Sequence, residues 1–343
     1  MNARDLVRLR LRNQLLTRTT LRRPEDVVTW MGAVQAQEYA FAKWGLGLRM
    51  RDGTTDAEVE DAFDRGRILR THVMRPTWHF VTPADIGWLQ KLTGPKVQRM
   101  SAPYNRRLGL DTATLLRSTA AIERALRDRN YLTRAELGAR VRDAGLPLEG
   151  PQLAQVAMHA EAEGVLCSGP RRGKQFTYAL VAERAPKTSP VSRDEALASL
   201  TRRYFQSHGP ATVKDFVWWS GLSTADARRG LEIVKVRPQP CEGLDYWTIS
   251  PKSGVADTDL RVHLLPIYDE YTVAYRDRTA VPHGPVTFRH ALVVDGQIAG
   301  AWRTTPKSTA VVIDVTPLGP RARPSRRAQE RAVERYRHFI GAE

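Results

Sequence analysis

LTRAELGARVRDAGLPLEGPQLAQVAMHAEAEGVLCSGPRRGKQFTYALV (132–181) decides the fold. It reads as a helix, a turn at Gly145-Leu146-Pro147, and a second helix to about residue 163. VLCSGP then changes to a strand period, a basic glycine-containing turn follows, and FTYALV reads as the return strand. Helix, helix, strand, wing, strand is the plan of a winged helix. The Pro/Ser/Thr-rich stretch 185–194 that follows reads as a linker.

The same order occurs on both sides of this stretch. Upstream, helices are expected over 5–17, 24–34 and 56–66, with Pro24, Glu25 and Asp26 suited to a first turn and Thr55 to an N-cap. ILRTHVMRPTWHFVTP (68–83) then reads as two strands turning near Met74-Arg75-Pro76. Downstream, 194–207 is a helix. SHGPATVKDFVWWSGLSTADARRGLEIV (207–234) has helix-turn-helix spacing, with Thr212 as cap, Gly221 as stop and Ser223 or Thr224 as the next start. Strands at 234–239 and 245–250 complete its wing. Residues 258–320 are strand-rich, with a hairpin turn at Asp295-Gly296, and 322–342 form a closing helix with arginines outward. The expected architecture is α+β: three tandem winged-helix units and a C-terminal β-rich, barrel-like module. The expected segments are 1–125, 126–185, 194–254 and 255–343.

Fifty-three Lys and Arg against 37 Asp and Glu leave a net charge of +16, which points to a polyanionic partner. A GC-rich genome also raises arginine content, but three fused DNA-binding units explain the charge better. Cys167 and Cys241 lie far apart outside any CxxC pair, so neither a disulfide nor structural zinc is expected. No apolar run reaches membrane-spanning length and the first residues lack a signal-peptide core, so a cytoplasmic protein is expected.

VQAQ (34–37) follows an apolar run and precedes Tyr39, Phe41 and Trp44. Residues i and i+2 do not share a helix face. If Gln35 and Gln37 act on one substrate, they must lie past a helix end, in a turn or an extended segment. By residue type alone, the favoured reading is that two such amides cap a helix or bind backbone. Glu38 is a competing carboxylate, or a solvated acid.

The sequence resembles the AlkZ/YcaQ-like winged-helix DNA glycosylases over nearly its whole length. The similarity rests on VQAQ (34–37), WGLGLR (44–49), RTHVMRPTWHFV (70–81), EGVLCSGPRRGKQFTYAL (163–180), GPATVKDFVWWSGL (209–222), LLPIYDEYTVAYRDR (264–278) and VVDGQIAGAWR (293–303). Gln35-Ala36-Gln37 places the chain with the Gln-x-Gln, AlkZ-like branch rather than the Gln-x-Asp, YcaQ-like one. The resemblance implies hydrolysis of the N-glycosidic bond of alkylated purines in double-stranded DNA, with Gln35 and Gln37 catalytic. That branch resembles self-resistance enzymes that remove bulky N7-alkylguanine lesions and unhook interstrand cross-links.

Candidate DNA- or lesion-contacting residues are Arg75, Trp78 and His79 in the first wing, Arg171, Arg172 and Lys174 in the second, and Asp269 and Arg303 in the β-rich module. Each has a plainer alternative. Trp78 and His79 also suit a core, the basic residues a solvated wing tip, and Asp269 an ion pair with Arg276 or Arg278. Residues 302–307 are expected to form a hairpin inserted in a groove. No cofactor or metal is expected, and three fused modules make a monomer reasonable. The alternative from another class is a winged-helix transcriptional regulator without catalysis.

Overall fold

Local capping and turn signals set most of the element boundaries in the computed structural model, which describes residues 1–17, 19–187, 189–249, 262–282, 289–306, 311–319 and 322–342. The last residue of the third expected wing and the tip of the 302–307 hairpin lie outside the described residues.

Helix α1 (Ala3–Asn13) opens on an Asn2/Asp5 capping box. Helix α2 (Pro24–Met31) stops at Gly32, whose φ of +83° turns the chain into β1 (Val34–Gln35). Helices α3 (Tyr39–Gly47) and α4 (Asp56–Asp64) follow. Strands β2 (Leu69–His72) and β3 (Trp78–Val81) pair antiparallel, Leu69 opposite Val81. Two helices come next, α5 (Pro83–Arg107) and α6 (Thr112–Leu126). The 132–181 stretch folds as β4 (Leu132–Thr133), α7 (Arg134–Asp143), α8 (Gly150–Ala162), β5 (Leu166–Ser168) and β6 (Thr177–Leu180), with α9 (Val181–Arg184) after it.

The third repeat is α10 (Arg193–Ser207), α11 (Val213–Ser220), α12 (Thr224–Val234) and the short pair β7 (Gln239–Cys241) and β8 (Leu244–Tyr246). Thr212 caps α11 through the Asp215 amide, and Ser223 caps α12 through the Asp226 amide. The remainder is β9 (Val262–Leu265), α13 (Glu270–Val273), β10 (Ala291–Val294), β11 (Gln297–Pro306), β12 (Val311–Pro317) and α14 (Arg326–Phe339).

The chain forms two compact units. One gathers residues 1–60, 198–219 and 223–343. Its sheet has the order β12-β11-β10-β9, all antiparallel. The sheet is open among the described residues, so the barrel-like closure expected from the sequence is corrected to a four-stranded sheet. Four strands are too few to close into a filled barrel. Helix α14 lies beside it, placing the Tyr336 ring 4.9 Å from the Trp302 ring and Phe339 5.1 Å from Trp44. The indoles of Trp44 and Trp302 donate to the Leu264 and Leu265 carbonyls, both at 2.7 Å. Buried aromatic bodies thus keep their polar edges satisfied.

The other unit holds residues 61–197 and 220–222. Ile122, Leu126, Leu137, Val141, Val156 and Leu166 are fully buried at its centre. Each such side chain contributes about 1.5–3 kcal/mol relative to exposure. Helices α5 and α8 approach closely enough that only a glycine fits at 94, against the carbonyl of Ala162.

Candidate active site

The turn at Gly32 releases the chain from α2, so Gln35-Ala36-Gln37 lies beyond the helix, extended at Gln35 and bent at Gln37. Gln35 and Ala36 are buried, whereas Gln37 and Glu38 are exposed. Glu38 is the N-cap residue of α3, without a side-chain capping hydrogen bond.

Beneath Gln35 lies a buried polar network. The Gln35 backbone N–H donates to Glu270 Oε1 at 2.7 Å. Glu270 Oε2 accepts from the Trp219 indole at 2.8 Å and lies 3.3 Å from His208 Nε2. Burial holds the His208 pKa below its ordinary value, although its bond to Glu270 pulls the other way. The ring stacks on Tyr204 at 4.9 Å.

Next in sequence, Asp269 receives two hydrogen bonds from Arg49, at 2.7 and 2.8 Å. The same guanidinium donates to the Gly45 carbonyl and to Gln14 Oε1, both at 2.9 Å. Burial pulls the Arg49 pKa down, but the charge and hydrogen bonds of Asp269 outweigh it and leave it raised. Gln14 in turn donates to the Tyr275 hydroxyl, which donates to the His208 carbonyl. Asp269 therefore sits in a buried ion pair with Arg49, and not beside the arginines nearest in sequence.

In the second unit, Trp78 is half-buried on β3, its ring 4.0 Å from His72 and 4.3 Å from the Arg70 guanidinium. Arg70 also lies 4.9 Å from the Phe176 ring. Trp78, Lys174, Phe176, Tyr178, Arg134 and Arg70 border a cleft of about 670 Å³ whose lining includes no acid. Arg171 places its guanidinium 4.9 Å from the Phe176 ring and donates its backbone N–H to Asp64. Arg172 is exposed and pairs with Glu136 at 2.6 Å. His79 is fully buried, with Nδ1 2.9 Å from the Thr77 carbonyl. Arg75 is half-buried in the β2–β3 turn. Arg303 is exposed on β11 and pairs with Asp314 across the β11–β12 hairpin at 3.0 Å, while neighbouring Trp302 is buried.

The structure thus brings Trp78 and Lys174 to one cleft, and Gln35 together with Asp269–Glu270. Glu270, His208, Trp219 and Arg49 were missed from the sequence. The one available signal was the acid pair inside the apolar run around 264–275. Among the described residues, no group of three His, Cys, Asp or Glu is placed to hold a metal ion. Among the same residues, no helix is long and apolar enough to cross a membrane.

The chain belongs to the AlkZ-like DNA glycosylase family, whose model matches residues 28–339. An interstrand DNA cross-link repair glycosylase of Streptomyces sahachiroi is 24% identical over 333 residues, covering 90% of this chain and 89% of the relative. The solved structure of the Streptomyces sahachiroi DNA glycosylase AlkZ shares the fold, with a TM-score of 0.81 at 22% identity, covering 99% of this chain and 97% of that one. The protein is a DNA glycosylase, and DNA is its substrate. The regulator reading is not favoured.

Proposed function

We propose that this glycosylase hydrolyses the N-glycosidic bond of cationic N7-alkylguanine lesions, including bulky adducts and interstrand cross-links. The observation that carries this is Gln35-Ala36-Gln37 itself: two neutral amides released from a helix end, one anchored through its backbone and one exposed. Glycosidases with poor leaving groups protonate them through a carboxylic acid. An N7-alkylated guanine already carries a positive charge and departs as a neutral base with the C1′–N9 electron pair, so no general acid is needed. What remains is to position a water at C1′ and to present dipoles to the oxocarbenium-like sugar. An amide oxygen accepts from that water while the amide nitrogen donates elsewhere. Once the C1′–O bond has formed, the extra proton passes to solvent.

The three helix–helix–hairpin repeats are proposed as winged helices that hold the duplex. Lys174, Arg171 and Arg172 bind phosphates, and Trp78 offers an aromatic face. Arg75 and His79 support this surface, and Arg303 contacts DNA from the β11–β12 hairpin, which enters a groove. Asp269 shapes the site from below through Arg49. Three fused DNA modules let the enzyme act as a monomer, and its cleft is open because a cross-linked base cannot leave its partner strand. The relative's name as a cross-link repair glycosylase supports the larger lesion.

The test is single-turnover base release from duplexes carrying one N7-methylguanine, one bulky N7 adduct or one cross-link. Wild type is expected to leave abasic sites, and Gln35→Ala and Gln37→Ala to lose at least tenfold in rate while still binding the duplex. Equal rates for all three proteins would overturn the role of the glutamines. Release from the methyl adduct alone would restrict the enzyme to small lesions.

A further inference from the structure

We infer that Glu270 is a positioning residue for the glutamine motif, holding the Gln35 peptide in the orientation from which both amides are aimed. The inference rests on the reading above, in which Gln35 and Gln37 act on the substrate.

Glu270 is fully buried, a setting that penalises a carboxylate unless donors surround it. Its donors come from separate segments of the chain. The Gln35 N–H on β1 reaches Oε1 at 2.7 Å, and the Trp219 indole on α11 reaches Oε2 at 2.8 Å. His208 Nε2, just past α10, lies 3.3 Å from Oε2 and adds a third donor when it carries the ring proton. The bond from Gln35 is made by its backbone N–H, and it fixes a peptide plane.

The chain on either side of Glu270 is tied down. Asp269, on one side, is locked by Arg49 and accepts the Tyr271 N–H at 2.9 Å. On the other side, the Tyr271 hydroxyl donates to the Gly296 carbonyl at 2.8 Å. Glutamine at 270 would keep one acceptor oxygen but turn an NH₂ toward a donor, from either Gln35 or Trp219. Aspartate would be one carbon too short to reach both. A fixed acceptor beneath the motif matters to rate more than to affinity, because misplacing a reacting group by about 1 Å costs on the order of 100-fold.

The full-length protein is tested as wild type, Glu270→Gln and Phe339→Leu. Phe339 is a buried ring against Gly47 and Trp44, and its trimming supplies a control that lowers stability without touching Glu270. Three quantities are read for each: single-turnover release of N7-methylguanine, affinity for undamaged duplex, and melting temperature. Glu270→Gln is expected to lose roughly 10- to 100-fold in rate with duplex affinity within about twofold of wild type. Phe339→Leu is expected to keep its rate at an equal or lower melting temperature. An active wild type with Glu270→Gln within threefold of it overturns the role of Glu270 alone. So does a Phe339→Leu protein that loses as much rate at matched stability, since the loss is then structural. A wild type inert on both methyl and bulky N7 adducts overturns the reading of the glutamines, and the role of Glu270 with it.

Discussion

Arg49 and Asp269 share two hydrogen bonds where neither group meets water. Breaking such a pair from one side strands a charge, at a cost of about 3–5 kcal/mol. Arg49→Met is therefore expected to lower unfolding stability by about that much in urea titrations, and Asp269→Leu added to it to restore part of the loss. Histidines set an acid limit. Burial holds His290 at about 4 and lowers His208, against an ordinary value of 6.5. An unfolded chain takes up these protons near pH 6.5, whereas the folded chain does so only near 4 at His290, so their stabilising effect is complete above about pH 6.5. It is lost as pH falls toward 4. Melting temperatures measured from pH 7 to pH 4.5 should decline, and His290→Asn, which keeps an acceptor for the Ile267 N–H, should flatten the slope. At this scale the sequence was only partly readable. The place of Gln35-Ala36-Gln37 past a helix end followed from spacing. The partner of Asp269 did not, because it lies 220 residues away in the chain.

Elements were legible where a turn needs a particular backbone. Asp295 and Gly296 both have positive φ, 52° and 83°, as a tight two-residue hairpin demands. Gly221 has φ +68° where α11 stops. The pair α5–α6 was not read at all. Pro95 and Pro103 lie inside α5 and imitate helix breaks, and its burial against α8 is a tertiary fact. Among the described residues the sheet expected to close into a barrel at the C-terminal end is open, for a related reason: alternating strands announce a sheet but not whether it closes. The α5–α8 crossing supplies a test. A Cβ at residue 94 would lie 2.2 Å from the Ala162 carbonyl oxygen, so Gly94→Ala must push the helices apart. Overpacking of this kind costs about 1–3 kcal/mol, readable as a lower denaturation midpoint with an unchanged urea slope.

Over the whole molecule, charge was the most direct clue. A surplus of 16 positive charges favours a partner whose counterions are released on binding. Duplex affinity should fall linearly with the logarithm of salt concentration. Lys174→Ala should weaken binding about equally across sequences and reduce the slope by about one if it meets one phosphate. The repeated helix–helix–hairpin order was visible from 132–181 outward. The long-range assembly of the first unit from 1–60, 198–219 and 223–343 was not, since nothing local marks which distant segments will meet. That assembly bears on synthesis. Gln35 leaves the ribosome 235 residues ahead of the acid that receives its backbone N–H. A nascent chain thus carries the hydrolytic motif long before it carries the support, and fragments released early should be harmless to the chromosome. Cleavage at the 185–194 linker should give two silent halves, with base release returning only when they are mixed.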